Sequence, residues 1–540
     1  MDKLFVIAIG GTGMRCLESF VNLCAIGMFD EQEIEILTLD TDQSNGNKSR
    51  VENLIRLYNQ IKSGGNPNSN TFFSAKLNLS VFFTDYGNQN YKQIAGISKG
   101  TNEQIKSNKL IADLFLDETT VQEFNLANGY RAQTHLGSML MYHAIIDAAV
   151  ILGKGVNVQE HHQALAGYIE KLAQSGSNAR VFILGSIFGG TGASSIPVIP
   201  KAMQEFIKIR SNDTQSLDFN KTKFGSTLLT EYFTFNKPDE KQKSNAADSV
   251  IADSSYFPLN CQAALQFYQN DPTVQSCYKS LYHIGWPIES KKVEDLNSGH
   301  KTIIGGASQK NPCHITELLC ACAAYDFFNR KSGFDGNKAN YYYKAVEYDS
   351  NVFNFTFNDL VGNENRAGDL LANRLGAFFA LAHIVLKENE AAFGVANGEN
   401  GIKGILNRFE KQQITSYNSI SSQECKDFNE FFQRFAYTVE NGQIVPGWLL
   451  QLKNSAQGSF LFNNRAFPEN EKELNKIDVG KLLPSEKNHW NTTLLKNSYA
   501  SFVDEILKVS PNEEQKVSTV KEKFMAHIFN AITSLQKLNY

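Results

Sequence analysis

"FILGSIFGGTGASSIP", residues 182–197, is an apolar run that stops at glycines and resumes as a helix-forming stretch. The same core stands near the start of the chain in "FVIAIGGTGMRC", Phe5–Cys16. A short, unbroken apolar run suits a parallel strand buried on both faces. Glycine after such a strand has a chemical use. A phosphate approaches backbone N–H groups closely only where no Cβ stands in the way, and the turn often needs positive φ. The following helix adds its N-terminal dipole and free amides. Thr12 and Thr191 each add a hydroxyl to this strand–loop–helix setting. Neither loop carries Gly-Lys-Ser/Thr, which excludes a Walker P-loop. The first loop alone also fits part of a dinucleotide fingerprint, with Gly11, Gly13 and Asp40, but Cys16 stands where the third glycine belongs.

Outward from the two loops, "EIEILTLDTDQ" predicts a second strand, so the chain opens as β-α-β. "RAQTHLGSMLMYHAIIDAAVIL" predicts a long helix beginning near Thr134–Ser138. "ASSIPVIPKAMQEFIKI" predicts a helix with prolines near its start, where they are tolerated. "FGSTLLTEYFTF" and "SLYHIGWP" read as strands and "CQAALQFYQN" as a short helix. "CHITELLCACAAYDFFNR" is apolar nearly all round, the mark of a helix covered on every side. "YYYKAVEY" and "VFNFTF" read as strands, and residues from about 391 onward as mostly helical.

At 540 residues the chain is long enough for two or more subdomains. A net charge of −4 gives no general attraction for nucleic acid or anionic lipid, so phosphate binding rests on local geometry. The longest apolar segments fall short of the ~20 residues of a membrane span. The eight cysteines form no CxxC pair and read as reduced core residues. With no secretory signal read at the N-terminus, the expected compartment is the cytoplasm. The pair His161-His162 has no carboxylate or cysteine at ligand spacing in sequence, and reads as a surface loop or helix turn.

The ordered series of motifs resembles the tubulin/FtsZ superfamily of GTP-binding proteins over residues 1–330, and fits a divergent bacterial group best. "IAIGGTGMRCLESF" is similar to the family's first phosphate-side loop and helix. "LTLDTDQSN" is similar to its strand ending in Asn-Thr-Asp-x-Gln, with Asp40 in place of the asparagine. "GYRAQTHLGS" resembles the loop near the terminal phosphate. "FGGTGASSIPVI" resembles the tubulin signature Gly-Gly-Gly-Thr-Gly-Ser/Thr-Gly, with Phe188 replacing the first glycine and Ser194 the last. "PLNCQAALQFYQND" resembles the helix whose asparagine contacts the nucleoside, a position matched by Asn260.

The resemblance implies an α/β fold: a Rossmann-like parallel-sheet nucleotide-binding domain of tubulin/FtsZ type (1–311) and a buried central helix (312–330). A second α+β domain begins at 331–390, and 391–540 forms a largely helical C-terminal extension. It implies GTP or GDP with Mg2+ across the carboxyl ends of the strands. The implied nucleotide contacts are Gly10, Gly11, Thr12, Gly13, Met14, Asp40, Asp42, Arg131, Ala132, Gly189, Gly190, Thr191, Gly192, Ala193, Ser194, Asn260 and Asn311. Asn311 would read the purine edge, Arg131 the terminal phosphate, and Asp42 would help hold Mg2+ through water. For Asp42 and Asn358-Asp359 the residues themselves equally suit turn and helix capping, and Arg131 equally suits a solvated loop. Head-to-tail self-association is implied, one subunit supplying acidic groups to the next subunit's nucleotide. Asp359 and Glu364 occupy that region, although the family pattern Asn-x-Asp-x-x-Asp is absent. The helical C-terminal region offers a surface for a partner protein. Two alternatives remain open: a non-catalytic nucleotide-binding scaffold, and a NAD- or ATP-binding Rossmann-type enzyme using only the first loop.

Overall fold

The computed structural model describes residues 2–63, 65–85, 101–115, 134–211, 219–234, 254–286, 292–293, 306–307, 309–343, 348–349, 352–353, 357–361, 367–390, 400–435, 437–440, 443–455, 507–510 and 517–534. Its centre is a seven-stranded sheet built from β1 (Lys3–Ile9), β2 (Glu33–Asp40), β3 (Lys76–Phe83), β4 (Ala179–Leu184), β5 (Lys223–Leu229), β6 (Tyr278–Ile284) and β7 (Asn340–Tyr342). Every pairing in it is parallel and the spatial order is 3-2-1-4-5-6-7. This is a Rossmann-like α/β architecture. Leu4 through Ile9 are all buried, so β1 is covered on both faces, as its unbroken apolar run requires.

Helix α1 (Gly10–Ala25) follows β1 without a connecting loop, and α2 (Gly46–Lys62) links β2 to β3. Between β3 and β4 come α3 (Asn102–Phe115), α4 (Thr134–Lys154) and α5 (Glu160–Ser175). The "ASSIPVIP" region is not one helix. A six-residue α6 (Gly190–Ser195) ends before Pro197, and α7 (Ile199–Arg210) starts with Pro200 in its first turn. The break follows from the missing proline N–H groups, which a helix accepts only where no i→i−4 bond is due. Beyond β5 lie α8 (Phe257–Asn270) and α9 (Pro272–Cys277).

The apolar helix expected at 312–330 is α10 (Ile315–Asn329), which packs on α1 and across β4, β5 and β6. A Cβ on Gly225 of β5 would strike the Phe327 ring, so that glycine lets the helix settle onto the sheet. Further along the chain stand α11 (Phe357–Val361), α12 (Ala367–Glu390), α13 (Asn400–Lys411), α14 (Ser422–Phe435), α15 (Trp448–Ser455) and α16 (Val520–Ser534). They do not stand apart from the sheet. Phe378, Phe431 and Phe529 meet Phe72 and Phe73, which precede β3, in one aromatic cluster. Trp448 on α15 donates its ring N–H to Ser19 of α1 at 3.1 Å. β7, from the stretch "YYYKAVEY", joins the main sheet as its last strand. Among the described residues no helix is long and apolar enough to cross a membrane.

Candidate phosphate-binding site

β1 and β4 are neighbours, with Ala8 opposite Leu184. The chain runs from β1 toward one edge of the sheet and from β4 toward the other. Their carboxyl ends therefore form the switch point where open α/β sheets generally hold ligands. Both Gly-Gly-Thr-Gly stretches lie there. Gly10 has φ +65, and a Cβ on it would come 3.1 Å from Thr191 Cβ, so the two loops abut. Neither α1 nor α6 has a side-chain cap at its N-terminus. Their first-turn N–H groups thus face one mouth with no cap from the preceding side chain. Gly11, Thr12, Gly189 and Thr191 are half-buried there, while Gly10, Gly13, Met14, Gly190, Gly192, Ala193 and Ser194 are buried.

The glycines divide into two jobs. A Cβ on Gly13 would run into the Leu184 carbonyl oxygen, and one on Gly192 into the Ser186 carbonyl oxygen. These two bring helix and strand together. A Cβ on Gly11 would instead meet only side-chain atoms, Asn45 Nδ2 at 3.2 Å and Gln309 Oε1 at 3.3 Å. Two further bonds fix α6: the Ser138 hydroxyl donates to the Ser194 carbonyl at 2.8 Å, and the Tyr268 hydroxyl to the Ala193 carbonyl at 2.7 Å.

After β2 the chain makes an acidic turn. Asp40 Oδ1 accepts the N–H groups of Thr41 at 2.8 Å and Asp42 at 3.2 Å, while its buried Oδ2 has no hydrogen-bond partner among the described residues. Burial first, and then the neighbouring Asp42 charge, raise the Asp40 carboxyl to about 7. Asp42 Oδ1 accepts from the N–H and hydroxyl of Ser44, and its Oδ2 from the Gly306 N–H at 2.6 Å. In this geometry Asp42 caps turns.

The segment leading into α10 crosses above this turn. Asn45 Nδ2 donates to Gln309 Oε1 at 2.8 Å beside Gly11. Asn311 is buried, and its amide is engaged with Asn47. Asn47 Nδ2 donates to Asn311 Oδ1 at 2.8 Å, and the Asn311 N–H returns a bond to Asn47 Oδ1 at 3.0 Å. Asn260, half-buried on α8, donates to the Phe188 carbonyl at 3.2 Å and so touches the second loop.

Beneath the loops lies a buried ionic network that the sequence did not announce. Arg15 Nε stands 2.6 Å from Glu317 Oε1, Arg15 Nη2 donates to the Pro312 carbonyl, and the Tyr232 hydroxyl donates to Glu317 Oε1 at 2.6 Å. Glu317 Oε2 accepts the His314 N–H at 3.0 Å, closing a capping box at the start of α10. The first-loop helix and the central helix are thereby tied at their entry points.

Asp359 is half-buried on α11, which packs against α10 and α12. Arg131, Ala132 and Glu364 lie outside the described residues. The His161-His162 pair is not on the surface. Both rings are buried at the start of α5, and Asp85, supplied from the end of β3, sits between their Nε2 atoms. The carboxylate was invisible at sequence spacing because 77 positions separate it from His162.

No known protein-family model matches the chain, and no curated protein sequence does.

Proposed function

We propose that the switch point binds a guanine nucleotide, with the loops Gly10–Gly13 and Gly189–Gly192 as two walls of one phosphate site. The observation that carries this reading is the abutment of Gly10 and Thr191 at the ends of adjacent strands. Two helix starts at one mouth offer amides and dipoles to a polyphosphate, in a chain whose net charge of −4 gives no general attraction for it. The tubulin/FtsZ resemblance supplies the choice of GTP or GDP with Mg2+ and the prospect of head-to-tail self-association. In that assembly Asp359 and Glu364 would orient water at the next subunit's nucleotide, and hydrolysis would be slow in isolated chains.

The test is direct binding of a fluorescent GTP analogue to purified full-length protein, with competition by unlabelled GTP, ATP and NAD. GTP is expected to compete best. Thr191→Val and Gly11→Asp should each weaken binding about 10-fold or more, the worth of one charge-assisted hydrogen bond. Absence of saturable GTP binding overturns the proposal. Phosphate release that rises with protein concentration marks a GTPase, and binding without turnover marks a scaffold.

A second reading has its own support. The strand order 3-2-1-4-5-6 and an acid at the end of β2 also belong to NAD- or ATP-binding enzymes that use the first loop only. That reading requires NAD or ATP to win the competition and Thr191→Val to bind normally.

A further inference from the structure

Two adjacent residues of a helix normally point about 100° apart and do not share a target. His161 and His162 do share one. At the start of α5 their rings lie 4.1 Å apart, centre to centre, and both Nε2 atoms face the Asp85 carboxylate. His161 Nε2 is 2.9 Å from Oδ1, and His162 Nε2 is 2.7 Å from Oδ2. All three donor atoms fall within 4.8 Å of one another.

Each ring is held in place by something else. His161 stacks on Phe83 at 4.0 Å between ring centres, and the Phe82 ring lies tilted at 5.8 Å. The Gln159 N–H donates to His162 Nδ1 at 3.1 Å. His161 is 7% exposed, and its Nε2 pairs with Asp85 Oδ1 at 2.9 Å. Two buried imidazole nitrogens converging on one carboxylate gather three ligand-type atoms around a common point.

We infer that Asp85, His161 and His162 form a binding site for a divalent transition-metal ion of the zinc type. Two imidazoles and one carboxylate are a common donor set for that ion, and two nitrogen donors disfavour Mg2+ or Ca2+. Bonds of about 2.0–2.1 Å at tetrahedral angles place donors about 3.4 Å apart. Asp85 must therefore withdraw by roughly half an ångström from its present contacts. Its side chain is 46% exposed, so it has room to move, and the same exposure leaves a fourth position open to water.

One local exchange accompanies binding. Coordination through His162 Nε2 requires its proton on Nδ1, which now accepts from Gln159. Gln159 is exposed, so water can take over that N–H. The site lies at the carboxyl end of β3, two strands from the strand that ends in the first glycine loop and three from the strand that precedes the second, and does not depend on the nucleotide reading.

The test uses full-length protein stripped with chelator and dialysed. Zn2+ is titrated against a chromogenic indicator, and Co2+ is followed by its visible absorption. The expected result is one tightly held Zn2+ per chain and an intense Co2+ spectrum of tetrahedral type. Asp85→Asn and His161→Gln should each weaken Zn2+ binding at least about 100-fold, since even loss of a ligand's supporting partner costs 10–100-fold. His283→Gln, on exposed β6 surface, should bind as the parent does. Zn2+ should also raise the melting temperature of the parent but not of Asp85→Asn, a variant at a half-exposed site that keeps its shape. Binding that survives Asp85→Asn and His161→Gln unchanged, or no stoichiometric binding by the parent, overturns the inference.

Discussion

Gly10 and Thr191, 181 positions apart in sequence, stand so close that a Cβ on the first would lie 3.1 Å from Cβ of the second. The contact exists because both residues open helices at the ends of paired strands. It makes the two loops one structural object, and the roles of the individual glycines can be separated by substitution.

Gly13→Ala and Gly192→Ala should be the most damaging changes, since the new methyl meets a backbone carbonyl in each case, that of Leu184 on β4 or of Ser186 just after it, and the helix must shift. Gly10→Ala adds strain at φ +65 and should cost about 1–3 kcal/mol. Gly11→Ala meets only side-chain atoms and should cost least in stability. Urea unfolding of the four variants checks the order, and an equal cost for Gly11 and Gly13 would refute the division.

Asp40→Asn carries a pH signature. The folded carboxyl titrates near 7, raised by burial and then by Asp42, whereas an unfolded aspartate titrates near 3.9. Between those values the folded state holds a proton that the unfolded chain has released. Stability therefore falls as pH rises through that window and stays reduced above it. The asparagine variant escapes this loss, and should exceed the parent by about 1–3 kcal/mol at pH 8 while gaining nothing at pH 4. Melting temperatures at the two pH values decide it, and equal curves at pH 8 would remove Asp40 as a buried titrating group.

Much of the sheet was legible because its signals are local. Unbroken apolar runs marked β1 and β4, and the glycines after them needed no distant partner to be recognised. What escaped was long-range. Asp85 reaches His162 across 77 positions, Asn47 reaches Asn311 across 264, and Trp448 reaches Ser19 across 429. Hydropathy patterns carry no record of such pairings. The same limit applies to the place of Asn311, since nothing local shows that its side-chain oxygen and backbone N–H meet Asn47. The break in the helix after the second loop is a different case: its signal is local, but its effect depends on which turn each proline occupies.

The Arg15–Glu317 pair should behave as a buried pair whose halves are unequal to the whole. Both side chains are at most 2% exposed. Glu317→Leu leaves Arg15 charged and buried, and should cost about 3–5 kcal/mol. Arg15→Met with Glu317→Leu should recover part of that loss. Tyr232→Phe removes one hydrogen bond to Glu317 and should cost about 1–2 kcal/mol. A double-mutant cycle by urea unfolding measures the coupling, and strict additivity of Arg15→Met and Glu317→Leu would deny the network its role in joining α1 to α10.

Glu522 on α16 offers the sharpest check that the C-terminal helices belong to the body of the protein. It meets Lys62 at the end of α2 at 3.0 Å, with both side chains buried. Burial alone would raise the Glu522 carboxyl, but the Lys62 charge, together with hydrogen bonds from Lys62 and Ser518, outweighs it and holds the group below the usual glutamate range. A depressed folded value means the contribution is complete above the unfolded value of about 4.3 and is lost as pH falls through the folded one. Glu522→Gln should therefore cost about 3 kcal/mol at pH 7, where Lys62 is left buried without its anion, and progressively less below pH 4. Urea unfolding at pH 7 and at pH 3.5 makes the comparison. A cost that does not shrink in acid would trace the loss to packing of the glutamate stem rather than to the ion pair. No cost at either pH would detach α16 from α2.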